Sequence, residues 1–256
     1  MTHANDWVGR HPTRSIWELR MHPVQKLLLA GVAAFAIGAT PASAALVVSG
    51  SVGGAPTGAV LENFNALPLG TGGGALGSGI SVSFAPNAQA VQGAVGGQYA
   101  APFLSGGNGA GFGSPNQPNG VDTTTYLTSG STGATAGAAV TLNLPFLAQY
   151  FGLLWGSVDD YNTLTFYNGN TLVGSVTGAQ VVASPNGDQG VNGTLYVNIS
   201  SDVAFNKVVA TSSQYAFEFD NVALSRTPIP EPASLALLGL GLLGLGAAAR
   251  AKRRAG

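Results

Sequence analysis

The residues best suited to chemistry in this chain form one short acidic stretch, Asp159, Asp160, Tyr161 and Asn162. Successive side chains on a strand point to opposite faces, so two adjacent carboxylates rarely make a catalytic pair there. In a loop, both carboxylates could bind Ca²⁺, because this ion prefers carboxylate, amide and backbone oxygens. A solvated turn is the alternative, and we expect it to be the commoner outcome for such a stretch.

A second polar stretch, residues 186–190, contains Asp188 between two turn-permitting glycines. It partly resembles a calcium loop but lacks the full ligand spacing and the closing Glu. A plain turn is favoured here too. The sequence therefore requires no cofactor, while Ca²⁺ stays open at Asp159, Asp160, Asn162 and Asp188.

Two further carboxylates, Glu218 and Asp220, are spaced two residues apart on a predicted strand and should share a face. Together with Asp159 they could form a glycosidase-like set, since glycoside hydrolysis uses paired carboxyl groups. Nothing in the sequence indicates a cleft or a raised pKa at these residues. We therefore predict that the chain is not an enzyme and assign no catalytic residue.

Aromatic residues cluster beside the acidic stretch, namely Trp155, Tyr161, Phe166 and Tyr167. Aromatic rings flanked by Asp and Asn can bind sugars by stacking and hydrogen bonding, and Trp155 and Tyr161 are the candidates. Aromatic residues in a β-sandwich are more often part of the core, and we favour that alternative for Trp155.

The absence of His and Cys from the body of the chain excludes several classes of site. His3, His11 and His22 all lie near the N-terminus, and the sequence has no cysteine. Residues 45–226 therefore cannot form a Ser-His-Asp triad, a Cys-His pair or a zinc site of nitrogen and sulfur ligands. Only two bases, Lys207 and Arg226, accompany eight acidic residues in this range, so nucleic-acid binding is not expected.

The C-terminal end has three consecutive parts. Pro230, Glu231 and Pro232 precede an uncharged apolar run at 233–249. About 17 residues at ~1.5 Å each give roughly 25 Å, near the short end for a transmembrane helix. The basic end consists of Arg250, Lys252, Arg253 and Arg254. These bases should stay on the cytoplasmic side of the membrane and place the body outside.

This order of parts resembles the PEP-CTERM tag of Gram-negative bacteria, over residues 228–254. The resemblance implies recognition by exosortase, a membrane-embedded transpeptidase-like protease. It further implies that the tag is removed near Pro230–Pro232 from an inner-membrane-anchored precursor. The body would then be released or attached to the cell surface.

The N-terminal end indicates a secretory signal peptide at 21–44. Lys26 precedes an apolar run, and Ala42-Ser43-Ala44 follows as an A-x-A site for signal peptidase. Cleavage should leave Ala45 as the new N-terminus. Met21 can start a signal peptide of ordinary length, so we expect residues 1–20 to be an upstream extension outside the translated protein. A long n-region is the alternative.

Between these ends, the pattern predicts an all-β body, a β-sandwich or jelly-roll. Residues 45–137 are rich in Gly, Ala and Ser and contain few strands, whereas 138–226 are rich in strand signals. The predicted strands include 139–144, 150–155, 163–167, 171–176, 194–199, 207–211 and 215–224. A register break is expected near Asp220-Asn221 in the last of them.

Residues 151–225 look like the body of exosortase-dependent surface proteins, and the closing FDNVAL resembles the last strand of galactose-binding-like jelly rolls and carbohydrate-binding modules. These resemblances imply a location at the cell surface and a β-sandwich or jelly-roll fold. We therefore expect an exported structural or adhesive protein of an exopolysaccharide or biofilm matrix. A carbohydrate-binding module, with or without Ca²⁺, is the alternative, and a carboxylate-dependent glycan-active enzyme is the third choice.

Overall fold

The computed structural model describes residues 45–229, except 52, 115 and 131–136. The described chain is nearly all β, as predicted. The strands are β1 (Leu46–Ser51), β2 (Val60–Glu62), β3 (Gly74–Ala75), β4 (Ser81–Phe84), β5 (Ala88–Val91), β6 (Phe103–Leu104), β7 (Gly120–Val121), β8 (Tyr126–Ser129), β9 (Ala139–Gly156), β10 (Asn162–Asn168), β11 (Thr171–Thr177), β12 (Leu195–Ser212) and β13 (Phe217–Ser225). One short helix, α1 (Gly178–Val181), follows β11.

Two long strands, β9 and β12, organise the 11-stranded antiparallel sheet. At one end, Ala139–Asn143 of β9 pair with Lys207–Thr211 of β12. Here β4 lies on the other side of β9, and β10 on the other side of β12. At the other end, Tyr150–Trp155 of β9 pair with Leu195–Ser200 of β12. Here β13 lies on the other side of β9, and β1 on the other side of β12. Because the neighbours change along each strand, one sheet forms two layers, and the apolar faces of both layers share one core.

The two long strands correct the sequence prediction, which divided each of them into two separate strands. β9 continues through 145–149, and β12 continues through 201–206. Irregular register between Ser200 and Lys207 interrupts the pairing there without ending either strand. A β-bulge absorbs residues that break the alternation, so a disturbed pattern does not require a strand end.

The β10–β11 hairpin agrees with the sequence, in which the turn-forming pair Asn168-Gly169 lies between the predicted strands 163–167 and 171–176. Its turn consists of Gly169 and Asn170, between Asn168 and Thr171. Gly169 has a φ of 59°, in the left-handed region that such tight hairpin turns require. Its amide also donates a hydrogen bond of 2.8 Å to Asn206 Oδ1, which fixes the turn to β12.

The outer face of the layer that contains β13 is also buried, beneath residues 93–114 and 116–124, here called the covering segment. Leu104 and Phe112 of this segment pack on Tyr196 and Ala223 of the sheet. The Phe103 amide donates to Thr194 Oγ1 at 3.1 Å. The glycine-rich half of the chain thus contributes a second layer of contacts over the sheet.

Five predicted features lie outside the described residues: the upstream extension at 1–20, the signal peptide at 21–44, the motif at 230–232, the transmembrane helix at 233–249 and the basic end at 250–254. Within the described ranges, none of the helices has the length and apolar character needed to cross a bilayer.

Candidate functional site

A polar pocket of about 410 Å³ opens beside the end of β9. Four segments form its walls: residues 94–99 of the covering segment, the loop 157–161, the loop 186–189, and residues 215–218 leading into β13. The side chains that give it chemical character are Gln98, Tyr99, Ser157, Asp159, Tyr161, Asn186, Gln189, Tyr215 and Glu218.

Glu218 forms the inner wall of this pocket. Its Oε1 accepts a hydrogen bond of 2.9 Å from the Ala100 amide, and its Oε2 accepts one from the Ser157 hydroxyl. Burial, and more weakly the charge of Asp159, raise the pKa of Glu218 to about 7, although these two hydrogen bonds act in the opposite direction. Near neutral pH this carboxyl group can therefore both donate and accept hydrogen bonds.

Asp159 is the second carboxylate of the pocket. Its Oδ2 lies 2.6 Å from the Tyr161 hydroxyl, which is also 2.7 Å from the Tyr215 carbonyl oxygen. Burial raises the pKa of Asp159, while the hydrogen bond from Tyr161 opposes that rise. The Tyr161 hydroxyl thus ties the acidic loop to the segment that enters β13.

Gly187 allows the loop 186–189 to approach Asp159 closely. It has a φ of 65°, and a Cβ at this position would lie 2.8 Å from Asp159 Oδ2. Its amide also donates to the Val158 carbonyl at 3.1 Å. A side chain at this position would be strained and would also crowd the carboxylate.

The predicted calcium ligands are not brought together. Asp159 faces the pocket, whereas Asp160 is exposed and Asn162 is fully buried, where its Oδ1 accepts from Ser212 Oγ at 3.0 Å. Asp188 Oδ1 accepts from the Gly190 amide at 2.6 Å, within its own loop. In the described ranges, no group of three or more His, Cys, Asp or Glu residues is placed to hold a metal.

The two predicted sugar-binding residues are separated by the fold. Trp155 has no exposed surface and stacks on Phe217 in the core, with ring centroids 4.4 Å apart. A sugar cannot stack on a ring that is packed on every side, so the structure corrects that assignment and agrees with the core alternative. Tyr161 does line the pocket, together with Tyr99 and Tyr215, which sequence reasoning missed.

Glu218 and Asp220 extend to the same side of β13, as the two-residue spacing predicts, but only Glu218 reaches the pocket. Asp220 is fully buried beneath the covering segment. The predicted register break is confirmed, since the pairing of β13 with β9 shifts between Asp220 and Ala223. The proposed three-carboxylate set is therefore not assembled at one place.

The described body is all-β, and comparison with known families adds a C-terminal sorting signal. A model of the PEP-CTERM protein-sorting motif matches residues 228–254, so the chain carries this motif at its C-terminal end. The motif indicates a membrane-anchored precursor that exosortase processes for export. No curated protein and no solved structure matches the chain.

Proposed function

We propose that this chain is a surface or extracellular-matrix protein with a structural or adhesive role in exopolysaccharide or biofilm. The observation that carries the proposal is a sorting motif that directly follows a β-sandwich-like body with a core of its own. Such a body needs no disulfide outside the cell, because packing of its apolar layers stabilises it. Signal peptidase and exosortase would be its processing partners, and the inner membrane its temporary anchor.

The experiment that tests this role compares the producing bacterium with a strain that lacks the chain. We expect reduced aggregation and a weaker matrix, with recovery when the full chain is supplied. A variant with Pro230, Glu231 and Pro232 replaced by alanine should be exported but should not restore the matrix. Unchanged aggregation and matrix composition in the deletion strain would contradict the proposal.

A direct test of processing is the intact mass of the protein from its host, with both termini sequenced. We expect a chain that begins at Ala45 and ends near Pro230–Pro232. A mature chain that retains Arg250–Arg254 would contradict exosortase cleavage and indicate a permanent membrane anchor.

The polar pocket favours a second candidate, a carbohydrate-binding function that would account for adhesion. Two carboxyl groups, two glutamines and three tyrosines around one opening match the hydroxyl groups and apolar ring faces of a sugar. The acidic lining without a neighbouring base suits a neutral sugar better than an acidic one. We further propose that the sugar is bound without being cleaved.

Calorimetric titration with fragments of the host polysaccharide tests this second candidate. Tyr215→Ala removes a half-exposed ring from the pocket wall and should weaken binding about fivefold, in line with typical aromatic contacts. Leu172→Ala is the control, since Leu172 is also an exposed apolar residue but lies on β11, outside the pocket. Equal affinities for both variants would contradict binding in this pocket, and release of shortened sugars would contradict binding without cleavage.

A further inference from the structure

A second acidic cluster lies beneath the covering segment and does not line the pocket. It consists of Asp220 and Asn221 from β13 and Asp122 from the covering segment, with exposed fractions of 0, 0 and 1 %. The Thr124 hydroxyl lies 2.6 Å from Asp122 Oδ1 and 3.5 Å from Asp220 Oδ2, so it bridges the two carboxyl groups. Two carboxyl groups are therefore held side by side in a site closed to bulk water.

The β-bulge in β13 explains why two consecutive side chains reach this cluster. Asn221 has a φ of 54°, and the register with β9 shifts at this point. A bulge re-aims side chains that would otherwise alternate between the two faces of a sheet. As a result, the Asn221 amide nitrogen donates to Gln117 Oε1 while Asp220 approaches Thr124. Both partners belong to the covering segment.

Several oxygen atoms of the cluster have no hydrogen-bond partner among the described residues. They are Asp122 Oδ2, Asp220 Oδ1 and Asn221 Oδ1. A buried acceptor without a partner is costly, and a buried carboxylate is more costly still. The two bases of the body do not compensate these charges, because Lys207 lies over the Tyr167 ring and Arg226 over the Phe146 ring.

A single shared proton would satisfy the two carboxyl groups but not the Asn221 oxygen. A cation can satisfy all three oxygens at once, and their chemistry, two carboxylates and an amide carbonyl, is that of a calcium ligand set. We propose that Asp122, Asp220 and Asn221 bind a Ca²⁺ ion that joins the covering segment to β13. The Thr124 hydroxyl and backbone carbonyls would complete the hard-oxygen set.

The electrostatics of the cluster agree with this proposal. Burial, and then the adjacent Asp122 carboxyl group, raise the pKa of Asp220 well above its ordinary range. A bound cation would compensate the charges of the buried carboxylates, which burial disfavours. Extracellular calcium modules have Kd values on the order of 10⁻⁴–10⁻³ M, which suits an exported protein.

Calorimetry and thermal melting of the purified protein test the proposal with CaCl₂ as the probe. We expect one Ca²⁺ per chain. We also expect Tm to rise by about 5–10 °C between EDTA and a free Ca²⁺ concentration near one hundred times Kd. Terbium, a luminescent substitute for Ca²⁺, should show emission sensitised by Tyr196, whose phenol is electrostatically coupled to Asp220. An absence of calorimetric binding, with equal Tm values in EDTA and Ca²⁺ at neutral pH, would overturn the proposal.

Three single substitutions locate the ion. Asp220→Asn keeps the shape of the side chain and should lose most of the Ca²⁺-dependent rise in Tm, while its Tm in EDTA equals or exceeds that of the unchanged protein. Asp160→Asn, at an exposed acidic residue, is the control and should keep the full rise. Asp159→Asn, in the pocket, should also keep it, and a loss there would move the site to the pocket and overturn the proposal.

Two further outcomes keep the test decisive. If Asp220→Asn does not fold, Asp122→Asn and the binding stoichiometry of the unchanged protein decide the matter. If the Tm of the unchanged protein falls with rising pH but does not respond to Ca²⁺, the pair holds a proton instead of a cation, and the proposal is wrong.

Discussion

Glu218 and Asp220 have similar side chains, extend to the same side of one strand and are separated by only one residue, yet their environments differ. Glu218 contacts Ser157 and faces a pocket of about 410 Å³. Asp220 is enclosed by Thr124 and Asp122 and has no exposed surface. The strand is the same for both, so the segment that packs over it determines the difference. A polar strand face becomes a binding site where loops leave an opening and an internal polar cluster where they do not.

The largest expected effect concerns the opposite face of the same strand. Phe219 has no exposed surface and packs edge to face on Phe64, with ring centroids 6.1 Å apart. Phe219→Ala should lower the free energy of unfolding by about 3–5 kcal/mol, because it leaves a cavity in the apolar core. Urea denaturation measures the change, and Leu172→Ala, at an exposed position on β11, is the control. Equal losses for the two variants would contradict the assignment of Phe219 to the core.

The next effect tests the buried state of Glu218 through pH. Its folded-state pKa of about 7 exceeds the ordinary value of 4.5, so the folded protein binds more protons than the unfolded chain between these values. The contribution of Glu218 to the free energy of unfolding is therefore most favourable below about pH 4.5. It falls as the pH rises to about 7 and is constant above that. Over this pH range, the deprotonation of Glu218 should lower the free energy of unfolding by about 3 kcal/mol.

Glu218→Gln removes that titration and should be the more stable protein at pH 8. Chemical denaturation at pH 5 and at pH 8 measures the difference in the free energy of unfolding between Glu218→Gln and the unchanged protein. Asp202→Asn, at an exposed acidic residue, controls for general charge effects. A difference between Glu218→Gln and the unchanged protein that is the same at both pH values would contradict a raised pKa at Glu218.

The smallest effect separates backbone strain from crowding in the pocket. Gly187 and Gly169 have similar positive φ angles, 65° and 59°. A Cβ at Gly187 would lie close to Asp159, whereas one at Gly169 would meet nothing within 4 Å. Gly169→Ala should cost about 1 kcal/mol from strain alone, and Gly187→Ala about 1 kcal/mol more. Urea denaturation of both variants checks this, and equal costs would mean that the loop 186–189 does not pack on Asp159.

Much of the fold is predictable from local patterns in the second half of the body. Alternating apolar residues predict β10, β11 and β13. The Asn168-Gly169 pair predicts the turn that joins β10 to β11. The short strands β2, β3, β5, β6 and β7 were missed, because two to four residues carry too little pattern to be recognised. Only their pairing with other strands defines them.

The candidate site was less predictable than the fold. Asp159 and Tyr161 were singled out by their residue types, and both line the pocket. Tyr99 and Tyr215 come from distant segments without a motif, so their proximity depends on how the covering segment and the β12–β13 connection pack. Trp155 was chosen for its chemistry, but its large apolar ring is placed in the core.

The sequence by itself determined the PEP-CTERM motif at 228–254, the all-β class and the exclusion of His- and Cys-dependent chemistry from the body. These properties depend on composition, order and short-range periodicity. Tertiary structure alone decided which acids meet, namely Asp159 with Glu218 at a pocket and Asp122 with Asp220 in a closed cluster. The reason is physical: burial and charge proximity depend on contacts between residues about 60–100 positions apart, and no local pattern records such contacts.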